Sequence, residues 1–140
     1  MAVGDNPCIP YYEPGARITA HCEAAVTGKR FVAPSDPIQS GPELNTSVDG
    51  SNIVVSHAGA GARALGVAAY DQAIGGKVPV LCGPGMVVPV TAEAGITAGA
   101  QVQVGVNGQA VTWGATIATQ PVGLCLDTVL TGEDAPIRLY

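Results

Sequence analysis

The residues able to do chemistry in this chain are few and scattered. His21 and His57 are its two histidines, each in a candidate strand. General acid–base work, a Cys–His nucleophile or a metal site would each need one of them beside a partner. No local spacing supplies one. The four cysteines, Cys8, Cys22, Cys82 and Cys125, lie far apart, and no CxxC pair exists. The ligand spacing of a zinc ribbon and the motif of a thioredoxin-like redox site are therefore excluded. Cysteines spread in this way read as buried, reduced thiols that pack as small hydrophobes; a disulfide formed later, outside the cell, is the other reading. Asp71 and Asp127 each follow a strand, near matching places of two related halves. A carboxylate pair can share acid and base work, but acids at loop starts ordinarily cap turns through their side-chain oxygens. The glycine-rich run 58–62 (AGAGA) is neither GxGxxG nor a GxxxxGK loop, so it is no phosphate cradle. These residues predict a protein that is not an enzyme and that holds no cofactor and no metal.

The elements that would position any site come in two copies. The stretch 63–82 reads RALGVAAYDQAIGGKVPVLC, and the chain ends on 120–140, QPVGLCLDTVLTGEDAPIRLY. At an offset of 57, Gly66 falls on Gly123, Gly75 on Gly132 and Pro79 on Pro136. Glycine and proline held in register are structural punctuation, because both fix unusual backbone angles. Further back, 22–27 (CEAAVT) matches 92–97 (AEAGIT) at an offset of 70, and Asp49-Gly50 matches Asn107-Gly108 at 58. The drop from 70 to 58 predicts 12 extra residues in the first copy, between Val32 and Asp49. The halves are then 13–82 and 85–140, with an inserted loop over 34–48. Two copies are too few for a solenoid. They suit one β domain with pseudo-twofold symmetry.

Short alternating segments fill both halves. Strands are expected over 16–22, 29–33, 52–57, 65–70, 77–81, 86–91, 102–105, 109–113, 122–127 and 135–140. The clearest hairpin is QVQVGVNGQAVTW, which alternates apolar and polar residues about Asn107-Gly108. No segment keeps a helical period. The fold class is all-β, a small barrel or sandwich over 16–140, preceded by an extended N-terminal arm over 1–15.

Composition sets the partners. One Phe and one Trp stand against 19 Gly, so the core is built from small side chains. Such a core removes little apolar area from water, which favours further burial against a partner. The net charge of −5, with six scattered Lys and Arg, leaves no electrostatic footprint for nucleic acid. The longest apolar run, 78–90, is broken by Pro and Gly and cannot span a membrane. No basic segment leads into an apolar stretch at the start, so a protein made in a cytoplasm is expected. In the arm, Pro7, Pro10 and Pro14 hold the backbone extended, and Ile9, Tyr11 and Tyr12 are candidate anchors on a partner. The 34–48 loop, long for a compact domain, is a second contact candidate.

The ordered set EPGARITAHCEAAVTGKRFV, SHAGAGARALGVAAYDQAIGGKVPVL, VVPVTAEAGITAGAQVQVGVNGQAV and PVGLCLDTVLTGEDAPIRLY resembles a family of small bacteriophage capsid decoration (cement) proteins. The likeness runs from Glu13 almost to the end. It departs in the longer Pro-rich start and in the four cysteines. What the resemblance implies is a structural protein of the virion. It would bind the outer surface of the mature phage head, as a homotrimer, and clamp neighbouring capsomers. Its partners would be the major capsid protein and itself, with neither nucleic acid nor membrane. On this reading Asp5, Ile9, Tyr11, Tyr12 and Glu13 are the capsid-binding candidates. Pro37, Ile38, Pro42 and Leu44 are the candidate contacts of the inserted loop. The alternative is a biotinyl- or lipoyl-type carrier barrel, since ITAGAQVQVGVNGQAV has that flavour. A carrier needs a modifiable lysine at an exposed hairpin tip, and the lysines, Lys29 (TGKRF) and Lys77 (GGKVP), sit in other contexts. A tail or fibre component of the same phage is a third reading.

Overall fold

The computed structural model describes residues 17–36 and 53–140. Asp5, Ile9, Tyr11, Tyr12, Glu13, Pro37, Ile38, Pro42 and Leu44 lie outside the described residues, as does Cys8. Among the described residues ten strands run β1 (Arg17–Cys22), β2 (Phe31–Asp36), β3 (Val54–His57), β4 (Gly66–Ala68), β5 (Lys77–Leu81), β6 (Val87–Thr91), β7 (Gln101–Val104), β8 (Ala110–Thr112), β9 (Gly123–Cys125) and β10 (Asp134–Leu139). The first five close into a barrel in the order β1-β3-β2-β4-β5. The last five form a sheet in the order β6-β10-β9-β7-β8. The fold is all-β, and a 3-10 turn at Val106–Gly108 interrupts the strands.

The same pairing recurs in each set. Ile18 faces Val80 in β1–β5, and Val88 faces Ile137 in β6–β10. Val32 faces Gly66 in β2–β4, and Val102 faces Gly123 in β7–β9. The loop bridge Val26–Gln72 has its counterpart in Ile96–Val129. These pairs keep the offsets of 70 and 57 read from the sequence. The matched glycines have physical reasons. A side chain on Gly66 would strike the Leu81 carbonyl, and one on Gly123 would strike Ile137 and Arg138. Gly75 and Gly132 hold φ of 84° and 83°, which only glycine adopts without strain. Asn107 and Gly108 sit at φ 53° and 74°, as a tight hairpin turn requires.

Two expectations are corrected. The stretch from Pro34 was expected to be loop, but β2 continues to Asp36, with Pro34 opposite Val55 and a bulge beyond it. Proline is tolerated there because the β4 ladder ends at Val32, so this part of β2 is an edge on that side. The second correction is the size of the insertion. Val55 lies opposite Cys22 as Ala110 lies opposite Ala92. Strands β3 and β8 therefore correspond at an offset of 55, not 58. The first half carries 15 extra residues rather than 12, and the second half regains two of them between β8 and β9.

The halves differ in how they close. Parallel pairing of β1 with β3 seals the barrel at His21–Val54 and Cys22–Val55. In the second sheet a single bridge, Ala92–Ala110, stands in that place. Segment 29–31 fills the remainder. Thr91 N–H donates to the Lys29 carbonyl (2.9 Å), and Gly61 N–H of the β3–β4 loop donates to the Val104 carbonyl (2.8 Å). Phe31 is wholly buried, beside Gly108, whose position would admit no side chain. It belongs to the second core, with Val88, Val90, Ile96, Val102 and Ile137, and not to the barrel's own core around Ala20, Val32, Val55 and Val78. Truncating a buried Phe removes its transfer energy and leaves a cavity. Phe31→Ala is expected to cost about 3–5 kcal/mol in urea unfolding. A cost below about 1 kcal/mol would show that the halves do not depend on this side chain.

Candidate partner-binding surface

Several of the chemistry-bearing side chains bond the protein's own backbone. Asp127 Oδ1 accepts from the next residue's N–H, Thr128 (2.8 Å), within its own turn, whereas Asp71 Oδ1 accepts from Gly28 N–H (2.8 Å) and ties its loop to the distant β1–β2 loop. In the second half Thr128 Oγ1 takes the part of Asp71 and accepts from Ala98 N–H at 3.1 Å. Cys22, Cys82 and Cys125 are free thiols. Burial pushes the Cys22 and Cys82 thiols up, which keeps them protonated and poor nucleophiles. The Cys125 thiol donates to the Asp127 carbonyl at 3.0 Å. Among the described residues, no group of three or more His, Cys, Asp or Glu is placed to hold a metal ion.

The lysines do not sit at a hairpin tip. Lys77 opens β5, opposite His21. Lys29 Nζ bonds Asp134 at 2.6 Å, from the first half to the second. That pair lies in a wide, open depression with Thr27, Gly28, Tyr70, Asp71 and Thr91. The charged groups lining it are engaged with protein: Lys29 with Asp134, and Asp71 with Gly28. A second notch, lined by Phe31, Leu65, Cys82, Val122 and Leu139, measures about 40 Å³. That is room for one water and far below the size of a cofactor site.

One surface differs from the rest. From Ala94 to Leu126 the sequence has no Asp, Glu, Lys, Arg or His. At the chain's 12% charged content, about four would be expected in such a run. The run builds β7, β8 and β9, which are neighbours in the sheet. Burial alternates along β7, so Val102 and Val104 point into the core while Gln101 and Gln103 take the outer face. Leu124 of β9 lies opposite Gln101, and Val111 of β8 opposite Gln103. Over this face folds the β8–β9 loop. Gln103 Oε1 accepts from Gly114 N–H (3.0 Å) and from the Thr119 hydroxyl (3.2 Å). The Trp113 indole N–H donates to the Thr119 carbonyl (3.2 Å), and the Thr116 and Thr119 hydroxyls pair at 3.0 Å. Ile117, at the tip, is fully exposed. Val106 and Leu126 add about half-exposed apolar surface. Reading the sequence for chemistry missed this face, yet its signal was there: a long run without charge in an acidic chain.

No protein-family model matches the sequence, and no curated protein matches it. Among solved structures, the chain is similar to the crystal structure of the head fiber gp8.5 N base of bacteriophage phi29. The TM-score is 0.66 at 21% identity, over 89% of this chain and 92% of that one. The likeness shows a shared fold along nearly the whole length.

His57 supplies a pH test. Its Nε2 accepts from Thr27 N–H at 2.8 Å, so the neutral ring is the form that fits. Burial first, and the nearby Arg30 charge second, hold its pKa below the ordinary 6.5. Above that value both folded and unfolded chains carry neutral His57, and it contributes no pH dependence. As pH falls below about 6.5 the unfolded chain binds the proton first, so stability is lost until the lowered folded value is passed. Denaturation midpoints measured from pH 7.5 to 5 should fall, and the His57→Gln slope should be flatter. Equal slopes in both proteins would remove His57 from the account.

Proposed function

We propose that this chain is a non-enzymatic structural protein of a bacteriophage head. It binds the outer surface of the mature capsid as a homotrimer and holds neighbouring capsomers together. The observation that carries the reading is the whole-length likeness to the base of a phage head fiber. Supporting it is the ordered set of motifs that resembles the decoration family.

The mechanism is linkage. Expansion of the shell on DNA packaging creates a composite site where capsid subunits meet. A protein that binds only that arrangement stabilises it by mass action, and many weak sites over a shell act together. The 1–15 arm contributes anchors at Ile9, Tyr11 and Tyr12, flanked by Asp5 and Glu13, and adds backbone pairing to a capsid strand. The inserted loop, with Pro37, Ile38, Pro42 and Leu44, contacts the capsid or a neighbouring copy. A second reading follows from the same likeness: the chain is the base on which a head fibre stands. Labelling of virions distinguishes a lattice over the shell from fibre attachment points.

Purified protein mixed with expanded heads and with unexpanded procapsids should co-sediment with the expanded heads alone, saturating at a fixed ratio. Equal binding to both shells, or to neither, would overturn the proposal. Deleting 1–14 should abolish head binding while the melting transition persists. A deletion variant that still decorates heads fully would sink the role of the arm.

A further inference from the structure

We infer that the uncharged face of β7, β8 and β9, with Ile117 at its tip, is where copies of this chain meet one another. The inference rests on the self-association proposed above and names the surface that makes it. Three observations point to a second copy as the occupant.

Charge is the first. Every copy carries a net −5, so copies repel unless the surfaces in contact are free of charge. The sheet face built by 94–126 is such a surface, bounded in space by Arg138, opposite Leu124, and at the β7–β8 turn by Glu93, which accepts from Val106 N–H (3.2 Å), and Arg30, which donates to the Asn107 carbonyl (3.4 Å). Two such faces meet without desolvating an unpaired charge, a step that opposes association. Depletion of charge, more than apolarity as such, is what marks the centre of a protein interface. The second observation is preorganisation. The Gln103, Trp113, Thr116 and Thr119 bonds fix the loop before any partner arrives. Ala115 holds φ 57°, a conformation uncommon for alanine, within that network. Little ordering entropy is then lost on contact.

The third observation is a comparison inside the chain. The β3–β4 loop, the counterpart of the β8–β9 loop, is docked: Gly61 bonds Val104, and Ala58 is buried in the second core. Phe31 and Val67 on the barrel are likewise covered by the second half, whereas of their counterparts Gln101 is exposed and Leu124 half-buried. In the second half the β8–β9 loop lies over part of the face and touches Gly61 through Thr119, but its tip at Ile117 and Gln101 on the face stay exposed.

Sedimentation of the full chain tests this, with two variants. Wild type should sediment as an oligomer at micromolar concentration. Ile117→Asp should associate at least tenfold more weakly and sediment toward the 14.0 kDa single chain, its circular dichroism unchanged. Ile74→Asp, at another exposed apolar residue on the β4–β5 loop, should associate like wild type. Raising salt should tighten the wild-type oligomer, since the remaining surface charges repel and are screened. Undiminished association of Ile117→Asp, or equal loss in Ile74→Asp, would overturn the inference. A wild-type chain that stays single yet binds heads would also overturn it while leaving the head reading intact. An oligomer that depends on Ile117 but ignores heads would support the face and overturn the head reading.

Discussion

An open sheet leaves backbone donors and acceptors, and the apolar side chains beneath them, with nowhere to go. The rest of this molecule depends on how segment 29–31 resolves that problem. The barrel seals itself through parallel pairing of β1 with β3. The second sheet has one bridge at that place, and the first half supplies the remainder. Thr91 finds the Lys29 carbonyl, Gly61 finds the Val104 carbonyl, and the chain's one Phe fills the space beneath. In a core made of Ala, Gly and Val, that ring is the largest fully buried side chain among the described residues. The Lys29–Asp134 pair spans the same boundary, but both groups are about half exposed, so it adds little beside the buried ring. Two units that could otherwise move as beads on a string are thereby made to share one core.

This dependence also explains an asymmetry between halves with the same strand pairing. Having docked its outer face and its β3–β4 loop on the second sheet, the barrel has spent them. The second half has no third half to dock against. Its equivalent face carries no charge, with Gln101 exposed and Gln103 and Leu124 half-buried.

Glycine and proline made much of the fold legible. Gly66 and Gly123 are required by close strand crossing, and Gly75 and Gly132 by positive φ, so they stayed in register where the apolar residues between them drifted. The all-β class, the ten strands and the Asn107-Gly108 hairpin followed from alternation and turn chemistry. The insertion was harder, because Asp49-Gly50 and Asn107-Gly108 look alike without being equivalent; only the backbone register of β3 and β8 separates them. The continuation of β2 through Pro34 was hidden for a related reason. Proline argues against a strand unless one side of it is an edge, and edges are a property of the sheet, not of the segment. Nor could local sequence show that Phe31 leaves its own barrel, since alternation tells which face a residue takes but not what lies across from it. As for the site, the arm and inserted-loop residues fall outside the described structure. The uncharged face was legible as a run without Asp, Glu, Lys, Arg or His, but its meaning needed the sheet order that makes β7, β8 and β9 neighbours.

The central claim is that this chain is a structural component of a phage head. Electron cryomicroscopy of virions from the phage that encodes it tests that claim most directly. The account predicts density on the outside of the shell into which the barrel and second sheet fit as one body, seated over junctions between capsid subunits. Density for the chain on the tail alone, or virions that lack it altogether, would contradict the account.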